Sequence, residues 1–136
     1  MRDIEFRALN FRTNKWLYSH GYYYDGTNYW FIIPSDNRAI SFAEKHIVNI
    51  STIGQFTGLT DKNGKEIYEG DIVYQELCSP DDPAYGFYGN EGPVEFDSGS
   101  FMVNWGDISE LLFGVHLYCE IRGNIHQNPE LPWRKS

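Results

Sequence analysis

Four carboxylates crowd the run TGLTDKNGKEIYEGDIVY, residues 57–74: Asp61, Glu66, Glu69 and Asp71. Acid–base chemistry would need Glu66, Glu69 or Asp71 to be desolvated enough for its pKa to rise. Asp71 follows Gly70 at a turn, where a carboxylate commonly accepts backbone N–H bonds. Such bonds hold a pKa down, which is wrong for a general acid. The run therefore reads as turn bonding rather than proton transfer. A calcium loop starting at Asp61 would need oxygen ligands at its first, third and fifth positions, Gly at the sixth and Glu at the twelfth. Asp61 and Asn63 fit, but Lys65, Glu66 and Ile72 occupy the other three. The ligand that would close the site is missing.

The other chemistry-bearing residues are sparse. The histidines at 20, 46, 116 and 126 show no paired metal spacing. His116 and Cys119 are three apart, which suits a shared helix face, but VHLYCEIRGNI alternates and reads as a strand. Val115, Leu117, Cys119 and Ile121 then point inward, with His116, Tyr118, Glu120 and Arg122 outward. Cys119 becomes a small core hydrophobe. There is no phosphate-binding glycine loop, nucleophile elbow or Cys–His pattern. The expectation is a protein that is not an enzyme and takes no cofactor or metal.

The elements that must hold these residues are strands. Ile4, Phe6 and Ala8 alternate with Glu5 and Arg7, a half-buried strand with the charged pair outward. A turn at Thr13-Asn14 leads to a second strand. YYYDGTNYWFII is a hairpin turned by Asp25-Gly26, and VEFDSGSFMVNW another turned around Asp97-Ser98-Gly99. SFAE, residues 41–44, fits a capping box and predicts a short helix. HIVNISTI reads as a strand ending at Gly54. Between these, DKNG is a turn, residues around Ile67 a brief strand, Gly70-Asp71 a tight turn, and the residues from Asp71 a longer strand. CSPDDPAYGFYGNEGP, residues 78–93, reads as a long loop. DISELLF predicts one helical turn capped by Asp107, and NPELPW a closing turn.

Composition narrows the function classes. The chain has 136 residues, of which 17% are aromatic, a content suited to pleated half-buried surfaces and to interfaces. Its formal net charge of -8 is unevenly placed. Residues 1–55 carry six Lys/Arg against five Asp/Glu; residues 56–136 carry five against fourteen. The second half is poorly suited to gripping phosphates. The first half, with Arg2, Arg7, Arg12, Lys15, Arg38 and Lys45 beside the aromatics of 22–24 and 29–31, keeps a nucleic-acid reading open. Two cysteines make no disulfide framework. The start has no apolar h-region and no run approaches a membrane span, so a cytoplasmic protein is expected, with no membrane partner.

The run QFTGLTDKNGKEIYEGDIV, residues 55–73, resembles the signature of the YopX family of phage and prophage proteins. IEFRALN, VEFDSGSFMV and IRGNIHQNPEL resemble the family's opening strand, its hairpin and its ending. The resemblance implies a phage or prophage protein with no established activity and no assigned catalytic residues. It also implies an SH3-like β-barrel in the C-terminal part. On that basis the fold is expected to be mainly β, at most a β-rich α+β, with a small sheet at 1–55 packed on an SH3-like barrel at 56–136. Gly58, Leu59, Asp61, Gly64, Ile67, Gly70 and Asp71 are expected to form the barrel's first turn and strand. Tyr68, Glu69, Asp71 and Trp105 are the candidate binding residues. Protein binding, to a host or phage partner or to a second copy, is the leading function. Nucleic-acid binding by the first half ranks behind it, and an enzyme using Glu66, Glu69 and Asp71 behind that.

Overall fold

Alternating apolar and polar residues, punctuated by Gly and Asx turns, produce strands along most of the chain. A computed structural model describes residues 4–34, 43–78 and 87–128. The protein is mainly β, and the described residues form two antiparallel sheets and one short helix. The chain divides into two compact units, Met1–Phe56 and Thr57–Ser136.

The first unit holds β1 (Phe6–Asn10), β2 (Trp16–Ser19), β3 (Tyr22–Tyr24), β4 (Tyr29–Pro34) and most of β5 (Ala43–Thr60), in the order β2-β1-β5-β4-β3. Its core is Ala8, Phe31 and Val48, against which Phe6, Leu17, Tyr29, Ile33 and Ile53 pack. The expected turns at Asn14 and Asp25-Gly26 are present, with both Asn14 and Gly26 at positive φ. Three expectations change. Arg7 is buried rather than outward, because its guanidinium lies over the Trp16 ring, 4.2 Å from the centroid. Ala43 and Glu44 belong to β5, so a helix over 41–44 is not formed there; residues 41 and 42 lie outside the described residues. β5 also runs on past Gly54 to Thr60. Its pairing with β1 shifts register between Arg7 and Leu9. At that break the Thr52 hydroxyl accepts the Leu9 N–H at 2.9 Å, replacing a ladder carbonyl.

The second unit receives the end of β5, which pairs with β6 (Glu66–Tyr68). β7 (Asp71–Cys78), β8 (Phe87–Asp97), β9 (Ser100–Asn104), β10 (Ser109–Leu111) and β11 (Cys119–Asn124) form a sheet in the order β10-β9-β8-β7-β11. Among the described residues β10 and β11 do not pair with each other, so no closed barrel is formed. The core is Ile67, Val73, Val94, Val103, Leu112, Val115 and Cys119, with Leu59, Phe101, Trp105 and Ile121 against it. Where the stretch read as a loop at 78–93 is described it is strand: Cys78 belongs to β7, and Phe87 to Pro93 pair with that strand. Gly92 shows why such a composition suits a sheet here. A Cβ on it would collide with the Asn104 backbone carbonyl, so only glycine lets the backbones come that close. Residues 79–86 and the predicted closing turn at 128–133, beyond Asn128, lie outside the described residues.

Residues 112–118 are helical, not extended: α1 (Leu112–Val115) is followed by a 3-10 turn (His116–Tyr118). Asp107 does not cap it; the N-cap position is Leu111, with no side-chain cap bond. Helical spacing puts Leu112, Val115 and Cys119 on one face, which is the face that reaches the core. Leu117, expected inward by strand alternation, is exposed.

Candidate functional site

The acidic run is held by its own backbone. Thr57 Oγ1 donates to the Ile67 carbonyl at 2.8 Å and accepts the Leu59 N–H at 3.2 Å, closing the β5–β6 hairpin beyond Gly58, which takes positive φ. Asp61 Oδ1 accepts the N–H groups of Asn63 and Lys65, both at 2.9 Å, around a turn in which Gly64 is left-handed. Its other oxygen accepts the Ile121 N–H at 3.1 Å, fastening the turn to β11. Asp71 Oδ2 accepts the Tyr68 N–H at 2.8 Å across the β6–β7 turn. Gly70, at φ 95, donates its N–H to Val94 and accepts from Ile125, so the turn is bonded on both sides.

Asp61 and Asp71 are thus buried acceptors with backbone donors in place. Buried carboxylates arranged in this way hold turns together. Tyr68 is buried at 4% exposure, so its ring belongs to the fold rather than to a contact surface. Its hydroxyl lies 3.5 Å from Glu66 Oε2. Glu66 is exposed and Glu69 half-buried. Trp105 stands apart from this run. It follows β9, its N–H donates to the Ile108 carbonyl at 2.9 Å, and its ring packs on the second core. The structure therefore joins Tyr68 to Asp71 by a hydrogen bond and places Trp105 at a different turn. Of the metal pair considered from sequence, His116 Nδ1 sits 2.7 Å from the Thr60 carbonyl oxygen, while Cys119 lies in the core. Burial pushes the Cys119 thiol up to about 11, helped by the charges of Glu110 and Asp61. Among the described residues no group of three or more His, Cys, Asp or Glu is placed to hold a metal ion. Nor is any helix among them long and apolar enough to cross a membrane.

A different surface stands out, and the strand reading of 115–125 hid it. Ile108, Leu111, Phe113, Leu117 and Tyr118 are all more than half exposed, Phe113 reaching 78%. Phe113 and Leu117 are four apart on the helical stretch and share its outer face. Leu112 and Val115, on the opposite face, are buried. Gly114 lies between the exposed side chains with nothing within 4 Å of the place its Cβ would occupy. A helical segment apolar on all sides is ordinarily buried on all sides. This one is covered on one. The signal was present in ELLFGVHLYC, whose apolar residues also satisfy helical spacing.

The model of the family described as "YopX protein" matches residues 5–131. This chain belongs to the YopX family. The match includes both the bonded acidic run and the exposed apolar face, and the family's description names no reaction or ligand. The crystal structure of protein EF1440 from Enterococcus faecalis is similar in fold, with a TM-score of 0.58 and 23% identity over 96% of this YopX family chain and 98% of that chain. No curated protein matches. Neither the family nor the solved structure indicates a catalytic class.

Proposed function

We propose that this YopX family protein is a non-catalytic phage or prophage accessory protein that binds another protein through the apolar face of residues 108–118. It would do so in the cytoplasm of a bacterial host. The observation that carries this reading is the helical stretch with Leu112 and Val115 in the core and Phe113, Leu117 and Tyr118 in water. Surface apolar groups scattered singly need no explanation, but three large ones exposed within residues 113–118 favour an interaction site. The backbone bonding of Asp61 and Asp71 supports an architectural role for the acidic run in preference to a catalytic one. We also read the Thr57–Ser136 unit as an open relative of the SH3-like barrel. Short antiparallel strands around one apolar core, and a 3-10 turn leading into the last strand, support that reading.

The test is an affinity capture from infected host lysate with nuclease treatment, using the wild-type protein and the double variant Phe113→Ser, Leu117→Ser as baits. A protein held by the wild type after nuclease and lost by the variant is the expected result. Identical captures by both baits would remove the face from consideration. A second reading, single-stranded nucleic acid on the first unit, draws on a chain of rings there. Phe6 and Tyr22 are 5.4 Å apart and Tyr24 and Tyr29 4.7 Å, with exposed Arg12 and Lys15 on the β1–β2 turn. Capture lost on nuclease treatment would favour it.

A further inference from the structure

The segment that bears the apolar face is acidic in sequence, and the sign of that charge selects its occupant. Residues 105–121 contain Asp107, Glu110 and Glu120 and no Lys or Arg. Asp107 is exposed and the two glutamates are partly so. Two cations lie nearby. Arg122 stands 3.9 Å from Glu120, so these two charges offset each other, and its guanidinium lies 3.7 Å from the Tyr74 ring centroid. Lys62 donates its backbone N–H to the Cys119 carbonyl at 2.9 Å and keeps an exposed side chain, so the negative sign is set by the excess of carboxylates over the unit. The unit as a whole carries five Lys/Arg against fourteen Asp/Glu.

Charge then separates the candidates for an apolar face. Nucleic acid and anionic lipid surfaces are both drawn by cations and repelled by a field of this sign. A second copy would meet the same patch about a two-fold axis, bringing like-charged segments together, with a net charge of -8 on each chain. A basic protein segment gains on both counts. We infer that the face of residues 108–118 docks a partner segment that is apolar on one side and rich in Lys or Arg on its flanks. Apolar contact with Phe113 and Leu117 gives the affinity, the open step at Gly114 lets the partner approach closely, and the negative charge of the unit gives orientation and selectivity.

This inference rests on the protein-binding reading above, and its test is built so that the two fail differently. The probe is a fluorescein-labelled amphipathic peptide of Leu and Lys at helical spacing, paired with a counterpart in which every Lys is Glu. Binding is followed by anisotropy with wild-type protein and with the variant Phe113→Ser, Leu117→Ser. Both substitutions lie on the exposed face, and circular dichroism verifies that the fold is kept. The Lys peptide is expected to bind the wild type roughly tenfold or more tightly than the Glu peptide and to lose roughly tenfold on the variant. Its affinity should weaken as salt is raised. Equal binding of the two peptides, lost on the variant, would overturn the basic partner and leave apolar docking standing. Lys-peptide binding that the variant leaves unchanged would place it elsewhere and overturn the site. No binding of either peptide would overturn the inference, with the lysate capture still judging the broader reading. A dimer seen by light scattering and abolished in the variant would assign the face to a second copy. Variant-sensitive binding to phosphatidylglycerol vesicles would assign it to a membrane.

Discussion

The acidic run of residues 57–73 and the apolar stretch of residues 108–118 lie in the same unit and invert each other. The first is made of residues that suggest chemistry, and its two buried carboxylates are engaged by backbone N–H groups. The second is made of residues that suggest a core, and one of its faces stands in water. A buried polar group without a partner is costly, so a fold keeps one only where donors are supplied. An exposed apolar group costs the fold little and is removed from water only when something binds. The difference teaches that residue type alone does not say which groups the fold engages and which stand in water.

The sharpest way to break this contrast is to cut at adjacent residues. Leu112→Ala should destabilise the protein by about 3 kcal/mol, within the range for emptying a fully buried leucine site. Phe113→Ala should stay within about 0.5 kcal/mol of wild type, as surface substitutions do. Urea unfolding followed by tryptophan fluorescence measures both. Comparable losses at the two positions would mean that Phe113 is packed, and the face would no longer be free.

The acidic side of the contrast is tested at Asp61. Asp61→Ala strands three backbone N–H groups in a buried turn and should cost about 2 kcal/mol. Asp61→Asn keeps an acceptor oxygen and should cost about half as much. A neutral Asp61→Ala in the same unfolding assay would take away the structural reading of the run.

Cys119 sits on the buried face of the same helical stretch and sharpens the contrast further. Its thiol is held up to about 11 by burial first, with Glu110 and Asp61 adding to the shift. A raised folded-state pKa means that the folded form keeps its proton longer than the unfolded chain does. The contribution is therefore complete below the ordinary value of 9.0 and is lost as pH rises from there through about 11. Iodoacetamide labelling near neutral pH, read at Cys119 by peptide mass spectrometry, should be at least about a hundredfold slower in native than in urea-unfolded protein. Rapid native labelling would show that the inner face opens.

The smallest expected effect is in the first unit. Asp25 is exposed, and its carboxyl is held below its ordinary value by the N–H groups of Asn28 and Thr27 and then by the Trp30 indole N–H. Its support for the β3–β4 turn is present above the ordinary carboxylate range and lost as pH falls through the lowered value. An NMR titration of Asp25 in wild type, compared with Asp25 in Trp30→Phe, should show a small upward shift in the variant. No change would assign the lowering to the backbone donors alone.

Much of the strand pattern was legible because hairpins are local. Asp25-Gly26 and Asp97-Ser98-Gly99 sit between alternating runs, and both turned where their chemistry requires. The failures came where a local pattern had two solutions. HLYC satisfies a period of two as well as a helical period, and the choice was made by Leu112 and Val115 reaching the core together. Pro and Gly at 78–93 suggested a loop, yet Pro93 and Gly92 lie in a sheet because Asn104 approaches Gly92 closely from β9. Arg7 read as outward because no sequence rule foresees Trp16 closing over it.

From the sequence alone came the membership of a mainly β family, the turns, and the uneven charge of the two halves, because these depend on residue type and near neighbours. Only the tertiary structure decided which apolar residues of 108–118 are core and which are surface. That choice depends on which face of a helical turn meets strands distant in sequence, and no local spacing contains it.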